Sequence, residues 1–194
     1  MLFYYLLYLL NKKNKLNNKA YLAGGCFWCT ESIFQRVIGV KNVLPGYMGG
    51  SIKNPAYREV CTGNTGHTEA IEVIFDPAII SFKDLLEIFF SAHDPTTLNR
   101  QGNDVGTQYR SAIFYTSAIQ KEEAEEMIQD LNARNEFSAP IVTEVSEEVP
   151  FYHAEKEHSN YFNLNKEQSY CQFVISPKIK KVTAKFNKYI SKDE

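Results

Sequence analysis

Apolar and polar positions along this chain fall into short alternating runs separated by helical stripes. Residues 20–23 form a compact apolar run and predict a strand. Residues 28–37 predict a helix with Ile33, Phe34 and Val37 on one face, and Gly39 breaks the pattern before a second strand at 40–44. A glycine-rich stretch from 45 to 66 predicts a long loop, a length usually tied to function. Residues 69–75 read as a strand closed by Asp76-Pro77. Ser81 then caps a helix, with Asp84 near the capping-box position and Phe82, Leu85, Leu86, Phe89 and Phe90 as its buried stripe. A polar loop spans 96–108, and residues 110–116 form a strand. Ser117 caps a helix with Ala124, Met127, Ile128 and Leu131 on one face. A strand at 141–145, a polar helix or turn at 151–162 and a strand at 170–175 follow. Pro177 breaks that strand, and 178–190 reads as a helix on Ile179, Val182, Phe186 and Ile190.

The first six elements run β-α-β-β-α-β, the split βαβ or ferredoxin-like order. The expected fold is therefore α+β, a two-layer sandwich with a ferredoxin-like core and extra C-terminal elements. A chain of 194 residues suits one domain, taken as residues 20–194. Residues 1–19 read as an extension outside the core. Their first ten residues are apolar, but a membrane helix needs roughly 17–25 such residues. The lysines at 12, 13, 15 and 19 follow the apolar run, whereas a signal peptide carries its charge before it. A docked extension is favoured over a weak membrane tether, and no stable membrane insertion is expected. A net charge of -2 offers no basic footprint for nucleic acid.

The chemistry concentrates in Gly24-Gly25-Cys26-Phe27-Trp28-Cys29, where a strand gives way to a helix. Unpaired N–H groups and the helix dipole favour an anion there, which can bring a thiol into its reactive range. Cys26 is thus the candidate nucleophile, and Phe27 and Trp28 could wall an apolar pocket. Glu69 opens the 69–75 strand; pressed against aromatic walls it would be an acid near neutral pH, and on a surface strand it would be inert. Tyr47 and Tyr109 sit in polar loops where a phenol could donate to a ligand oxygen or simply pack. Asp94, Asn99, Asp104 and Gln108 crowd the second loop and could bind ligand or hold the backbone. A zinc site from Cys26, Cys29, Cys61 and His67, with His153 or His158, has poor ligand spacing, and no metal is expected. Four cysteines in a chain of this length make no disulfide scaffold, and Cys-x-x-Cys points to redox chemistry in a reducing compartment.

Gly25-Cys26-Phe27-Trp28, Gly46-Tyr47-Met48-Gly49-Gly50, Asn54-Pro55-Ala56-Tyr57, Gly66-His67-Thr68-Glu69, and the stretch from Asp94-Pro95-Thr96 to Gly106-Thr107-Gln108-Tyr109-Arg110-Ser111 occur in order. Together they resemble the peptide methionine sulfoxide reductases of the A type, from about residue 20 to about residue 177. The resemblance implies that the Cys26 thiolate attacks the sulfoxide sulfur while Glu69 protonates its oxygen, aided by Tyr47 and Tyr109. It implies that Phe27 and Trp28 hold the S-methyl group and that Asp104 binds the polar part of the substrate or organises its loop. It implies the S epimer as substrate, free or protein-bound, and a sulfenic acid on Cys26. A second thiol then resolves it, Cys171 or Cys29 with Cys171 slightly favoured, before reduction by thioredoxin or another thiol; no cofactor is implied. Cys61 looks structural by the same analogy. Two departures stand out: Thr68 replaces the usual alanine, and His158-Ser159-Asn160-Tyr161-Phe162 is a looser form of a family segment. The expected protein is a cytoplasmic monomer.

Overall fold

The computed structural model describes residues 19–191. The extension expected over 1–19 lies outside them, apart from Lys19, which opens the first strand. Four strands make the centre of a six-stranded sheet: β1 (Lys19–Gly24), β2 (Val40–Met48), β3 (Thr68–Phe75) and β6 (Ser111–Tyr115). Helix α1 (Phe27–Phe34) follows β1, the single-turn α2 (Tyr57–Val60) lies between β2 and β3, and α3 (Phe82–Ala92) follows β3. In space the four strands lie β6-β1-β3-β2, antiparallel throughout, which is the split βαβ topology expected from the chain order. A short β7 (Glu144–Glu147) adds to β6 in parallel, and the two-residue β8 (Tyr152–His153) adds to β2. Between α3 and β6, the polar loop folds into a small hairpin of β4 (Arg100–Gln101) and β5 (Asp104–Val105).

Strand alternation decides which side chains meet the helices. Ala20, Leu22, Ile71, Val73, Phe75 and Ile113 join the main core with the apolar stripes of α1, α3 and α4 (Ala118–Ala133). Tyr21, Ala23, Met48, Ala70, Ala112 and Phe114 form a thinner cluster on the opposite face, with Phe151 against it. Parity therefore sends Tyr47 and Glu69 to the helical side, and the register sets them directly opposite each other on neighbouring strands. The caps form as the sequence implies. Ser81 Oγ accepts from Asp84 N at 3.1 Å while Ser81 N donates to Asp84 Oδ2 at 3.0 Å, and Ser117 Oγ accepts from Gln120 N at 3.2 Å.

The structure corrects several sequence readings. The loop expected from 45 is strand as far as Met48. Its outer edge is covered only by β8, where Ala154 N donates to Pro45 O at 3.0 Å, so a proline is tolerated. The strand expected at 141–145 begins at Glu144, because Ile141 N and Val142 N bond instead to Asn132 Oδ1 and Pro95 O. The polar segment 151–162 splits into β8, a tight turn (Lys156–His158) and the start of the single-turn α5 (Tyr161–Leu164). Most consequentially, residues 170–175 are not a strand. Cys171–Ile175 is a widened, π-helical turn running straight into α6 (Ser176–Lys185). In a strand Cys171, Phe173 and Ile175 would share a face; here Cys171 and Ile175 are buried and Phe173 is 78% exposed. Pro177 follows close on that widened turn, whose irregular hydrogen-bond ladder admits a residue with no N–H.

Gly46 leaves no room for a side chain between β2 and residues 151–152. A Cβ there would lie 2.4 Å from Phe151 Cζ and 2.4 Å from the Tyr152 carbonyl oxygen. Gly46→Ala is expected to lift β8 from β2 at a cost of about 2 kcal/mol. Urea unfolding checks the cost, and hydrogen exchange at the Ala154 amide should accelerate selectively because its Pro45 bond is broken.

Candidate active site

Gly25, at φ +86°, turns the chain from the end of β1 into α1 and leaves Cys26 as the residue before the first helical turn. A side chain at Gly25 would run into Gln101 of β4. The carbonyl of Cys26 accepts the Cys29 N–H at 3.0 Å. The first N–H of α1, on Phe27, donates to Glu69 Oε2 at 3.0 Å. This bond ties the start of α1 to β3 and sets a carboxyl group near the Cys26 thiol. Glu69 is 1% exposed, and burial pushes its pKa up to about 8 against the opposing pull of the Phe27 N–H. Its carboxyl is therefore mostly protonated at neutral pH.

Cys26, Cys29 and Cys171 fall in one buried cluster with Phe162 and Ile175, and Trp28, Tyr109, Tyr161 and Tyr170 pack against it. All four cysteines are free thiols, and Cys61 stands apart, exposed beside Tyr57. The thiols of Cys26 and Cys29 share a hydrogen bond. Helix-start position alone favours a low pKa for Cys26, but burial outweighs it and pushes that thiol up. Cys29 moves the other way, down to about 7, by the hydrogen bond from Cys26 and the charge of Lys178. The resting negative charge of the pair thus sits more readily on Cys29.

Tyr109 lies with the thiol cluster, beside Glu69 and Cys26, whose charges help burial push its phenol up. Tyr47 is fully buried, and its hydroxyl donates to Glu155 Oε2 at 2.8 Å. The same carboxylate accepts the Tyr57 N–H at 2.7 Å. Tyr47's single proton is thus committed to Glu155. Asp104, on β5, accepts from the Tyr170 hydroxyl at 2.7 Å, which takes up that phenol's single proton, and the hydroxyl lies beside the two thiols. Thr68 donates from its hydroxyl to Gln108 O at 3.0 Å and so fixes the turn (Thr107–Tyr109) that carries Tyr109.

Phe27 is a buried wall whose ring meets Tyr47, Tyr57 and His158 at centroid separations of 5.8, 6.5 and 5.3 Å. Trp28 is half-buried and lies flat on Tyr161, with ring centroids 3.7 Å apart. Its indole N–H donates to His158 Nδ1 at 3.2 Å, which fits a neutral imidazole whose pKa burial lowers. Asn160, left-handed at φ +55°, offers its backbone N–H to Glu31 Oε1 at 2.8 Å, and the Tyr161 N–H bonds the same carboxyl. Glu31 on α1 therefore anchors the segment that stacks on Trp28. Residues 158–170 thus supply His158, Tyr161 and Tyr170 to the site. His158 and Tyr161 stand in the sequence only within a loosely matching family segment, His158 also as a zinc option; their packing role leaves no local pattern, because it reaches across more than a hundred residues. The candidate zinc ligands do not converge. His67 bonds Gly50 N and Ile52 O, and among the described residues no group of three His, Cys, Asp or Glu side chains is arranged to hold a metal.

The assembled site is a buried thiol, a protonated carboxyl beside it, a phenol and an aromatic slot. That set suits a small apolar group bearing one polar oxygen that must be protonated to leave. Comparison with known proteins agrees with this geometry. The family model described as peptide methionine sulfoxide reductase matches residues 18–190. The peptide methionine sulfoxide reductase MsrA of Ralstonia nicotianae is 56% identical over 171 residues, covering 86% of this chain and 90% of that one. The solved methionine sulfoxide reductase A of Corynebacterium diphtheriae superposes with a TM-score of 0.68 at 38% identity, over 77% of this chain and 75% of that one. Reduced Mxr1 of Saccharomyces cerevisiae gives a TM-score of 0.72 at 32% identity, over 79% of this chain and 88% of that one. Mxr1 in complex with Trx2 gives 0.50 at 23% identity, over 74% and 83%. The chain belongs to the peptide methionine sulfoxide reductase family, as an MsrA-type enzyme that reduces methionine sulfoxide.

Proposed function

We propose that the enzyme reduces the S epimer of methionine sulfoxide, free or protein-bound, through a sulfenic acid on Cys26. The contact that carries this reading is the buried Glu69 carboxyl on the first N–H of the helix that Cys26 begins. Cys26 sulfur attacks the sulfoxide sulfur as its proton leaves. A sulfur–sulfur bond forms as Glu69 delivers a proton to the sulfoxide oxygen; the oxygen leaves the methionine sulfur as hydroxide and adds to the Cys26 sulfur as the sulfur–sulfur bond breaks and the thioether departs. The proton lost by Cys26 returns to Glu69, so thiol and sulfoxide become sulfenic acid and thioether with no net protons. Tyr109 supports the oxygen by hydrogen bonding. Tyr47 can do so by exchanging Glu155 for the substrate, and otherwise braces that wall. Trp28 and Phe27 enclose the methyl group, while Asp104 with Tyr170 meets the polar part of the substrate. Removing the oxygen as hydroxide demands an acid, and a carboxyl with a pKa near 8 is one that is still protonated at neutral pH.

The second thiol in this reading is Cys29 in preference to Cys171. Cys29 already shares a hydrogen bond with Cys26, whereas the thiol coupled to Cys171 is that of Cys29. Attack by Cys29 gives a Cys26–Cys29 disulfide and water, and a dithiol reductant restores both thiols. Thioredoxin is the proposed reductant, a reading supported by the crystal structure of yeast Mxr1 in complex with Trx2. Free thiols of this kind suit a reducing compartment such as the cytoplasm. Among the described residues no helix is long and apolar enough to cross a membrane.

Glu69→Gln should slow methionine formation in a single turnover by about 10²–10⁴-fold. Because the acid form is the active one, the wild-type rate of this step should fall as pH rises through about 8. The variant should lose that limb; an unchanged rate would remove the acid role. A single turnover without added reductant should give methionine from the S epimer alone, together with a Cys26–Cys29 bond on mass mapping. Cys29→Ser should still form one equivalent of methionine but stop thioredoxin-driven turnover, while Cys171→Ser should turn over. A mapped Cys26–Cys171 bond would transfer the second role to Cys171.

A further inference from the structure

We infer that Lys178 is a positioning residue for the second half of the reaction, its ammonium holding Cys29 as the thiolate that attacks the Cys26 sulfenic acid. The inference rests on the proposed use of Cys29. Lys178 lies in the first turns of α6, which the widened turn at Cys171–Ile175 brings against α1. Its Nζ donates to Cys29 Sγ at 3.7 Å. Cys29 is 1% exposed, and a cation beside a buried sulfur acts with little screening by water. The lysine itself is half-buried, so its charge stays in contact with solvent while its tip reaches the thiol.

The other charged or titratable groups around Cys29 do not replace it. In the reduced enzyme the Cys26 thiol donates a hydrogen bond that favours the Cys29 thiolate; the Tyr170 hydroxyl lies beside it, with its one proton on Asp104. Asp104 opposes it by charge, Glu69 is pushed up by the presence of Cys29, and Cys171 is pushed up likewise. Among these, Lys178 is the cation. In the reduced enzyme this balance brings the Cys29 pKa to about 7; as a sulfenic acid Cys26 no longer offers its thiol hydrogen, while Lys178 keeps its place at Cys29.

Atoms and electrons balance in this step. The Cys29 thiolate donates an electron pair to the Cys26 sulfur, a sulfur–sulfur bond forms and the sulfur–oxygen bond breaks. The departing hydroxide takes up the proton equivalent that Cys29 gave up on ionising, so sulfenic acid plus thiol become disulfide plus water. Cys26 is reduced from sulfenic acid to disulfide and Cys29 is oxidised from thiol to disulfide. Lys178 forms no covalent bond.

The test follows two phases of one single-turnover reaction on the S epimer: methionine appearance, and the slower Cys26–Cys29 disulfide in quenched samples. It is run at pH 6, 7 and 8 on the wild type, Lys178→Met and Lys178→Arg. The disulfide rate constant of Lys178→Met should fall about threefold to tenfold at pH 6 and 7, and the gap should narrow at pH 8 as the thiol ionises unaided. Lys178→Arg should restore most of the rate. Lys178→Gln, closer to lysine in length, takes the place of the methionine variant where that variant does not fold. An unchanged disulfide rate and pH dependence in the neutral variant overturns the inference. So does an equal loss at every pH with no rescue by arginine, which is the mark of a packing role. A wild-type bond mapped to Cys26–Cys171 instead overturns the use of Cys29, and the role of Lys178 with it.

Discussion

The hydrogen bond from the Phe27 N–H to Glu69 is the constraint on which the rest of the site depends. The start of a helix has N–H groups with no partner inside the helix, and they seek an anion. Here one of them is given a carboxyl carried by the neighbouring strand. Two opposing influences then meet on one group. Burial among aromatic rings drives the Glu69 proton on, and the N–H drives it off. With burial alone the carboxyl would be a weaker acid; with more N–H donors it would ionise and have no proton to give. Strand parity explains why this meeting happens at all, because the alternation that buries Ile71, Val73 and Phe75 under the helices also turns Glu69 toward them.

A second layer of the site comes from far away in the chain. Glu31, one turn into α1, fixes the backbone at Asn160 and Tyr161, and this lays Tyr161 on Trp28. Glu155 bridges Tyr47 on β2 and the Tyr57 backbone. These two carboxyls do different work. Glu31 accepts backbone donors, and burial raises its pKa to about 7, whereas Glu155 is held below the ordinary range by its N–H and phenol donors. The aromatic slot is thus assembled from α1 and a late, mostly irregular segment, each fixed to the other by a buried acceptor.

Much of the fold was legible because the sheet and helices bury apolar side chains at regular spacing. β1, β3, α3 and their order follow from periodicity and from the Ser81 cap. β2 was legible only in its first half, since Pro45 and Gly46 read as loop; a strand tolerates them here because its outer edge is short and Gly46 must admit Phe151. Residues 170–175 were misread because an apolar run of period two and a widened helical turn look alike over five residues. The tell-tale was Phe173, which a buried strand would not leave in water. At the site, Cys26 stands out by its place where a strand gives way to a helix, whereas Glu69 reads equally as a buried acid or a surface residue until strand parity turns it under the helices. The phenol of Tyr47 held by Glu155, and the reach of Lys178 to Cys29, depend on where whole elements dock, and no local spacing encodes that.

Trp28 is the only tryptophan in the chain, and it sits in the pocket wall, flat on Tyr161 with its N–H on His158. The tryptophan fluorescence of the whole protein is consequently the emission of this one wall. Occupancy of the slot, or any movement of the 158–170 segment away from it, is written into an optical signal that needs no label.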